Sequence, residues 1–234
     1  MFEAIVLAGG LGTRLKEIVR DLPKPMAPIG DKPFLYYLFL YLKRNNVKRI
    51  VLAVSYKKES IIKYFSNQFE NIPIIYSIET EPLGTGGAIK KAIALTQSDD
   101  VFVINGDTYF DINLEDLYRF HKEKRSELSI ALRVVEEGNR YGAVEVDESG
   151  LVVGFYEKVN RRNSLINGGI YLINKHAFSN LSKNLPETFS FEMEVLEPLK
   201  LKTYGKVYYN YFIDIGVPEE YERARKELTE LFDR

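Results

Sequence analysis

Three glycines and two cations near the N-terminus are the residues whose types and spacing most clearly suggest chemistry. Gly9, Gly10 and Gly12 follow a short apolar segment, so backbone amides there can approach a ligand without interference from Cβ atoms. Arg14 comes next, and its planar guanidinium suits phosphate oxygens. Lys24 stands between two prolines, which predicts a stiff, extended backbone that holds the ammonium in place. Together these residues predict a site for a phosphate-bearing anion.

Two common phosphate-binding motifs do not fit this segment. A dinucleotide-binding fingerprint requires a third glycine at the position that Leu15 occupies. A Walker loop requires Gly-Lys-Ser or Gly-Lys-Thr, which the sequence lacks. The glycines alone also fit an ordinary turn between a strand and a helix, and the two cations favour the phosphate site.

Two aspartates are candidates for a metal site. Asp107 follows the apolar segment VFVIN and Asp214 follows NYFI, so each is predicted to lie at the end of a strand. Carboxylates from separate strands can bind one Mg²⁺ ion and leave coordination positions for phosphate oxygens. Aspartate after a strand is also common in turns, and Asp111 is a second candidate for the role of Asp107.

Composition and charge exclude several classes of protein. The 234 residues are 45% hydrophobic with a formal net charge of −1, which excludes global attraction to nucleic acid or an anionic membrane. Cysteine is absent, which excludes disulfides and thiolate metal sites. The sequence shows no leader-like start, and no apolar run approaches the ~20 residues that span a bilayer. We therefore expect a cytoplasmic protein.

The first half of the chain alternates strand and helix patterns that would position these residues. Its short apolar segments suit strands that are buried on both faces, as in a parallel sheet, and cover residues 4–8, 49–54, 72–78 and 101–105. Helices are predicted between them over residues 32–46, 58–69 and 86–97, the first with Asp31 as a start signal. This alternation predicts an α/β fold with ligands beyond the carboxyl ends of the strands.

The pattern changes after residue 126. Short apolar segments separated by tight turns predict antiparallel or mixed strands in LSIALRV, GAVEVD, LVVGFYEK and GGIYLIN. Residues 218–232 are predicted to form a closing helix, with Pro218 and two glutamates in its first turn. Because no linker or repeat interrupts the chain, we predict a single α/β domain over residues 1–234, with a mainly parallel central sheet that becomes mixed in its second half.

These motifs resemble those of a known enzyme family. LAGGLGTRL and PKPMAPI look like the signature of the sugar-nucleotide pyrophosphorylases, the nucleotidyltransferases that make NDP-sugars. The resemblance continues in order through EPLGTGGAI, NGDTYFD, RYGAVEVD, FYEK, LINGGIYLI and FIDIGVPEEY, and so covers nearly the whole chain. Within the family the sequence is most similar to D-glycero-α-D-manno-heptose 1-phosphate guanylyltransferases. The resemblance implies a Rossmann-like, glycosyltransferase-A-like domain, with a nucleotide-binding half at 1–125 and a sugar-phosphate-binding half at 126–234.

The reaction that the resemblance implies needs cations more than it needs a base. A sugar 1-phosphate attacks the α-phosphorus of a nucleoside triphosphate and releases pyrophosphate. The attacking phosphate is already largely ionised at neutral pH, because a phosphate monoester has a second pKa of about 6. This agrees with the sequence, in which His121 and His176 are the only histidines and stand in ordinary contexts. Repulsion between two polyanions is the obstacle that cations have to overcome.

The resemblance also implies roles for individual residues. Arg14 would lie against the β and γ phosphates, Lys24 near the α-phosphate and Lys158 against the sugar phosphate, while Asp107 and Asp214 would bind Mg²⁺. The residues implied to bind the nucleotide are Leu7, Gly9, Gly10, Gly12, Thr13, Glu79, Gly84 and Thr85. The residues implied to bind the sugar are Tyr141, Gly142, Glu157, Asn167 and Gly168.

Glu79 predicts which base is recognised. It stands five positions before Gly84, where uridylyl- and thymidylyl-transferring relatives typically have a glutamine that reads the pyrimidine edge. A carboxylate only accepts hydrogen bonds, and guanine presents two adjacent donors, N1–H and the 2-amino group. Glu79 therefore favours GTP, and the structural alternative is a surface glutamate in an acidic turn with Glu81.

The sequence leaves alternatives open. The leading hypothesis is guanylyl transfer from GTP to heptose 1-phosphate, and the neighbouring ones are mannose-1-phosphate guanylyltransferase and a uridylyl- or thymidylyltransferase using another NTP. A different class is a nucleotide-sugar sensor without catalysis, which the loss of Lys24, Asp107 or Asp214 would have favoured; all three are present. Assembly into a homo-oligomer is also open, and neither nucleic acid nor a membrane is expected as a partner.

Overall fold

A ten-stranded sheet runs through the part of the chain that the computed structural model describes, which comprises residues 1–10, 22–137, 142–156 and 162–232. The strands of these residues are β1 (Phe2–Leu7), β2 (Pro28–Ile29), β3 (Lys32–Pro33), β4 (Val47–Val54), β5 (Gln68–Phe69), β6 (Ile72–Ile78), β7 (Asp100–Asn105), β8 (Thr108–Phe110), β9 (Leu128–Glu137), β10 (Ala143–Val146), β11 (Val152–Tyr156), β12 (Arg162–Asn174), β13 (Thr203–Tyr208) and β14 (Phe212–Asp214). The helices are α1 (Phe34–Arg44), α2 (Lys58–Phe65), α3 (Gly84–Ile93), α4 (Leu114–Lys124), α5 (Lys175–Ser182) and α6 (Pro218–Phe232).

The first half of the sheet is parallel, as the sequence predicted. β6, β4, β1 and β7 lie side by side in that order, and all three pairings between them are parallel. The chain leaves β1 toward β4 on one side and later reaches β7 on the other, so the strand order reverses at β1. In open α/β sheets, ligands bind beyond the carboxyl ends of the strands at such a reversal.

Side-chain alternation along these strands produces a core on each face. In β1, Ala4 and Val6 belong to the cluster that packs against α1, α2 and α6, whereas Ile5 belongs to the cluster on the side of α3 and α5. Every one of these three side chains is fully buried. Burial on both faces explains why the strand segments are continuously apolar.

The second half turns the sheet into a mixed one, which confirms the predicted change of pattern. β12 runs antiparallel to both β7 and β9, while β13 is parallel to β9. The pairing of β12 with β9 shifts register between Asn167 and Tyr171, where Gly169 has a φ of 72°. Glycine tolerates this left-handed conformation, so the irregularity of β12 is built into the sequence.

Several local predictions differ from the structure. Asp31 does not cap α1; its carboxylate pairs with Lys32, and the helix begins after Pro33. The helix predicted over 58–69 ends at Phe65, because the chain turns at Ser66 with a φ of 53° and Phe69 pairs with Ile72 in a hairpin. The helix predicted from residue 86 begins at Gly84.

The backbone around Lys24 is also not extended. Residues Lys24–Met26 form a turn of 3-10 helix, in which the Met26 amide donates to the Pro23 carbonyl at 2.8 Å. Pro23 itself is extended and Pro25 is buried, so the segment is held firmly in a different conformation from the predicted one.

A seam of glycines joins the two halves of the chain. The amides of Gly86 and Gly87 both donate to the Phe189 carbonyl, at 3.0 and 3.3 Å, and the Phe189 amide donates to Leu83. A Cβ atom on Gly87 would lie 2.3 Å from the carbonyl oxygen of Glu187. The glycines at the start of α3 therefore allow a backbone segment of the second half to lie directly against the helix.

None of the helices among the described residues has the length and apolar character that a membrane span requires.

We predict that Gly87→Ala destabilises the fold. The new methyl group would meet a backbone carbonyl rather than a movable side chain, so the expected loss is about 1–3 kcal/mol, less the helix propensity that alanine gains. The melting temperature should fall by several degrees. The control is Gly10→Ala, because a Cβ atom there meets no atom of the described residues within 4 Å. Equal melting temperatures for the two variants would show that the close approach of the Glu187 carbonyl does not require glycine at position 87.

Candidate active site

A cleft of about 360 Å³ opens beyond the carboxyl ends of β1, β4 and β7. The residues that line it are Leu7, Gly9, Gly10, Lys24, Pro25, Ala53, Glu79, Pro82, Gly84, Thr85, Ala88, Asn105 and Asp107. All of them precede residue 126, and the cleft lies at the reversal of strand order, where the α/β fold predicts a ligand.

The cleft brings together most of the predicted residues that the structure describes. Those on its wall are Leu7, Gly9, Gly10, Lys24, Glu79, Gly84, Thr85 and Asp107. Six predicted residues lie outside the described part of the chain, namely Gly12, Thr13, Arg14, Tyr141, Glu157 and Lys158. Sequence reasoning missed Pro25, Ala53, Pro82, Ala88 and Asn105. Of these, Asn105 could have been predicted from the sequence, because it ends the same strand that precedes Asp107.

One lysine and two aspartates form the charged end of the site. The Lys24 ammonium lies 2.5 Å from the Asp107 carboxylate and 3.9 Å from that of Asp214. The small ribbon of β8 and β14 brings the aspartates together, since Asp214 pairs with Thr108 and the Ile215 amide donates to the Asp107 carbonyl. Asp214 therefore lies at the end of a ribbon strand rather than of a sheet strand.

Burial and the neighbouring Asp107 carboxylate raise the pKa of Asp214 to about 6, and the Lys24 ammonium opposes that shift. The carboxylate is held in place by the Gly216 amide, which donates to Oδ1 at 2.7 Å. Two carboxylates that share one ammonium lack a full complement of positive charge, so this end of the cleft favours a further cation.

Asp111, the alternative metal ligand, has a different partner. Its carboxylate forms an ion pair with Arg44 at the end of α1. Neither histidine contributes to the cleft: His121 is buried with its Nδ1 2.9 Å from the Ser129 hydroxyl, and His176 lies beside the exposed Asp99. Both observations agree with a chemistry that needs no imidazole.

The donor set fits Mg²⁺. The oxygens of Asp107 and Asp214 converge on one positive charge, that of Lys24, which shows that a single cation can serve both. Among the described residues, no group of three or more His, Asp or Glu side chains could hold a metal. Mg²⁺ is commonly bound by one or two carboxylates and completes its shell with water and phosphate oxygens, so two carboxylates are sufficient.

Glu79 lies on the wall of the same cleft and is buried rather than at the surface. It is 6% exposed, its Oε2 accepts the Leu83 amide at 3.1 Å, and its Oε1 lies 3.0 Å from where a Cβ atom on Gly9 would stand. Burial raises the pKa of Glu79, and the Leu83 amide opposes that shift. The surface alternative for Glu79 is therefore wrong.

Three of the predicted sugar-binding residues lie in the described part of the chain: Asn167 and Gly168 are on β12, and Gly142 directly precedes β10. The Asn167 amide donates to the Gly142 carbonyl at 3.0 Å, and its side chain donates to the Tyr171 hydroxyl at 2.6 Å. A Cβ atom on Gly168 would lie 2.6 Å from the Phe110 ring, so packing alone already requires glycine there. The neighbouring Gly169 packs against Asn105, which connects this segment to the cleft wall.

We predict that Asp214→Asn stabilises the protein near neutral pH. A carboxyl whose pKa is higher in the folded state than its usual value of 3.8 costs stability once it ionises, so the penalty appears as pH rises from about 4 to about 6. Asparagine avoids this penalty and can keep the bond from Gly216. The melting temperature should therefore rise at about pH 7.5 and stay unchanged at about pH 4.

The matched control is Asp99→Asn, because the Asp99 side chain is 82% exposed. A stabilisation by Asp214→Asn that is equal at both pH values, or a loss of stability near neutral pH, would contradict this account of the charged cluster.

Comparison with known proteins agrees with this geometry. A family model described as Nucleotidyl transferase matches residues 3–230. The D-glycero-α-D-manno-heptose 1-phosphate guanylyltransferase of Campylobacter jejuni is 52% identical, over 94% of this chain and 96% of the relative. The protein of the same name from Aneurinibacillus thermoaerophilus is 47% identical, over 97% and 98%. The mannose-1-phosphate guanylyltransferase of Mycobacterium tuberculosis is 32% identical, over 97% of this chain and 64% of the relative.

A solved structure extends the likeness to the fold. HddC from Yersinia pseudotuberculosis, in complex with GMP-PN, is 39% identical with a TM-score of 0.86, over 97% of this chain and 99% of that one. The cleft at the strand reversal, the nearly full-length family match and the high identities lead to one conclusion: the chain belongs to the nucleotidyl transferase family.

Proposed function

We propose that the protein transfers GMP from GTP to D-glycero-α-D-manno-heptose 1-phosphate, with release of pyrophosphate. The observation that carries the proposal is that one cleft is lined by a buried carboxylate, Glu79, and by the ion pair of Lys24 and Asp107, with Asp214 3.9 Å from the Lys24 ammonium. A nucleoside triphosphate has the matching polarity, with hydrogen-bond donors on its base and negative charge on its phosphates.

The charged end of the cleft supplies what the transfer requires. Lys24 has a side chain that is only 15% exposed, so its ammonium acts in a partly dehydrated site, where charge interactions are strong. Facing the α-phosphate, it would stabilise the charge that grows as the sugar phosphate attacks. No residue has to remove a proton, because the attacking phosphate is already ionised.

Asp107 and Asp214 would hold Mg²⁺. The bound ion would supply positive charge to the phosphate oxygens that surround the reacting phosphorus. The two carboxylates contribute the fixed part of its shell, and their close approach to each other gives them a common need for that charge.

Glu79 supports GTP as the donor. One of its oxygens is fixed by the Leu83 amide, so the orientation of the carboxylate toward the cleft is set before a ligand enters. A carboxylate can accept both N1–H and the 2-amino group of guanine, while uracil and thymine present a mixed edge that a carboxylate cannot satisfy. The complex of the related HddC with GMP-PN supports the same class of nucleotide.

The sugar is assigned from the relatives. Two proteins named for heptose 1-phosphate are 52% and 47% identical to this chain, and the cited relative named for mannose 1-phosphate is 32% identical. We assign the nucleotide to residues 1–125, which contain all of the described residues that line the cleft, and the sugar phosphate to residues 126–234, which contain Gly142, Asn167 and Gly168.

The proposal is tested by measuring pyrophosphate release with GTP, ATP, UTP, CTP and dTTP, each in combination with the 1-phosphates of heptose, mannose and glucose. GTP with the heptose 1-phosphate should give the highest kcat/KM. A higher kcat/KM with mannose 1-phosphate would show that mannose, rather than heptose, is the sugar. A higher kcat/KM with UTP or dTTP would refute the assignment of GTP.

We predict that turnover requires a divalent metal. Excess EDTA should abolish pyrophosphate release, and Mg²⁺ should restore it, because two carboxylates and the phosphates need the charge. Asp107→Asn should lose most of the activity while it keeps its melting temperature within a few degrees. The control is Asp99→Asn, which should keep normal turnover; undiminished release in EDTA would refute the metal assignment.

We predict that Glu79→Gln lowers kcat/KM for GTP by an amount equivalent to about 1–3 kcal/mol of binding free energy. The preference of the enzyme for GTP over UTP should become smaller. Glutamine presents one donor and one acceptor, so one of the two guanine donors loses its partner. The control is Glu81→Gln in the same acidic turn, since Glu81 is exposed. A Glu79→Gln variant with unchanged GTP selectivity would show that this carboxylate does not recognise the base.

A further inference from the structure

A further carboxylate, that of Glu192, reaches the edge of the cleft from the second half of the chain. It begins a short π-helical turn, Glu192–Leu196, and its Oε2 accepts the hydroxyls of Thr85, at 2.6 Å, and Ser190, at 2.9 Å. Thr85 lines the cleft and in turn accepts the Phe191 amide at 2.9 Å. Turns of π-helix are rare and are frequently found at functional sites.

The two oxygens of Glu192 have different surroundings. Both hydrogen bonds go to Oε2, and within the described residues Oε1 has neither a hydrogen-bond donor nor a cation. A half-buried carboxylate that is held by two hydroxyls is therefore oriented, yet it keeps an acceptor that no residue in the described part of the chain uses.

The position of Glu192 indicates what that acceptor can bind. The ring of Phe191, the residue before Glu192, packs edge-on against the ring of the buried Tyr171, with their centroids 5.4 Å apart. The Tyr171 hydroxyl accepts the Asn167 side chain at 2.6 Å. The segment Phe191–Glu192 thus contacts Thr85 on the cleft wall and Tyr171, the partner of Asn167 on β12, at the junction of the two halves.

Charge decides between a phosphate and a hydroxyl as the ligand. A carboxylate repels phosphate unless a cation accompanies it, and among the described residues the cation that lines the cleft, Lys24, pairs with Asp107 and not with Glu192. A neutral hydroxyl group, in contrast, donates well to a carboxylate oxygen. We infer that Glu192 recognises a hydroxyl group of the sugar 1-phosphate through Oε1, while Oε2 fixes Thr85 and with it the first turn of α3. This inference rests on the proposed function.

The test is steady-state kinetics of Glu192→Gln with GTP and the heptose 1-phosphate. Glutamine is isosteric and can keep its oxygen toward Thr85 and Ser190, but it turns an amide group toward the sugar. KM for the sugar 1-phosphate should rise roughly 10- to 100-fold, as expected for the loss of a hydrogen bond to a charged group, while KM for GTP changes less than about twofold. The control is Glu194→Gln in the same turn, whose side chain is 47% exposed and pairs with Lys200; it should leave both constants unchanged.

A purely structural Glu192 would give a different result, because disturbing Thr85 would raise KM for GTP and lower the melting temperature together. Monodeoxy analogues of the sugar 1-phosphate add a direct readout: for the analogue without the recognised hydroxyl, wild type and Glu192→Gln should have equal KM values. If Glu192→Gln does not fold, Glu192→Asp, which keeps the charge but is one methylene shorter, should show the same rise in KM for the sugar 1-phosphate.

An unchanged KM for the sugar 1-phosphate in a folded variant would overturn the role of Glu192 and leave the proposed function intact. Absence of pyrophosphate release by the wild-type protein with every pair of substrates would overturn the proposed function and, with it, this inference.

Discussion

The position of one ammonium group between two carboxylates is the constraint on which the rest of the site depends. Lys24 lies 2.5 Å from Asp107 and 3.9 Å from Asp214, and the pKa of Asp214 is nevertheless raised to about 6 by burial and by Asp107. The cluster is therefore short of positive charge even with the lysine present. A divalent cation would relieve that shortage, and the lysine would then be available to the phosphates. Two carboxylates held close together lower the stability of the folded protein, and the same arrangement gives the site affinity for a cation.

The fold supplies this cluster from three distant parts of the chain. The 3-10 turn at Lys24–Met26 follows the first strand, Asp107 follows β7, and the β8–β14 ribbon brings Asp214 beside them. On another side of the cleft, the glycines at the start of α3 allow residues 187–189 to lie directly against that helix. The β8–β14 ribbon and the contact of residues 187–189 with α3 both connect the first half of the chain to the second. Nucleotide and sugar phosphate can therefore be recognised by different halves and still meet in one cleft.

Much of this could be predicted from the sequence, for identifiable reasons. The parallel strands are continuously apolar because both faces are buried, and that pattern is visible without coordinates. Glu79 was predicted from its hydrogen-bonding chemistry, whereas its burial appears only in the structure. The 3-10 turn at Lys24, the ribbon that carries Asp214 and the early end of α2 depend on contacts between residues far apart in the chain. Glu192 was missed for the same reason, since its partner Thr85 lies 107 residues away.

The central claim is that the α-phosphorus of the nucleotide, and no other, is attacked. It is tested most directly by incubating the protein with Mg²⁺, heptose 1-phosphate and GTP that carries ³²P at either the α or the γ position. Attack on the α-phosphorus places the α-label in a sugar nucleotide and the γ-label in pyrophosphate. Transfer of the γ-label to the sugar phosphate, or its release as inorganic phosphate without a sugar nucleotide, would contradict it.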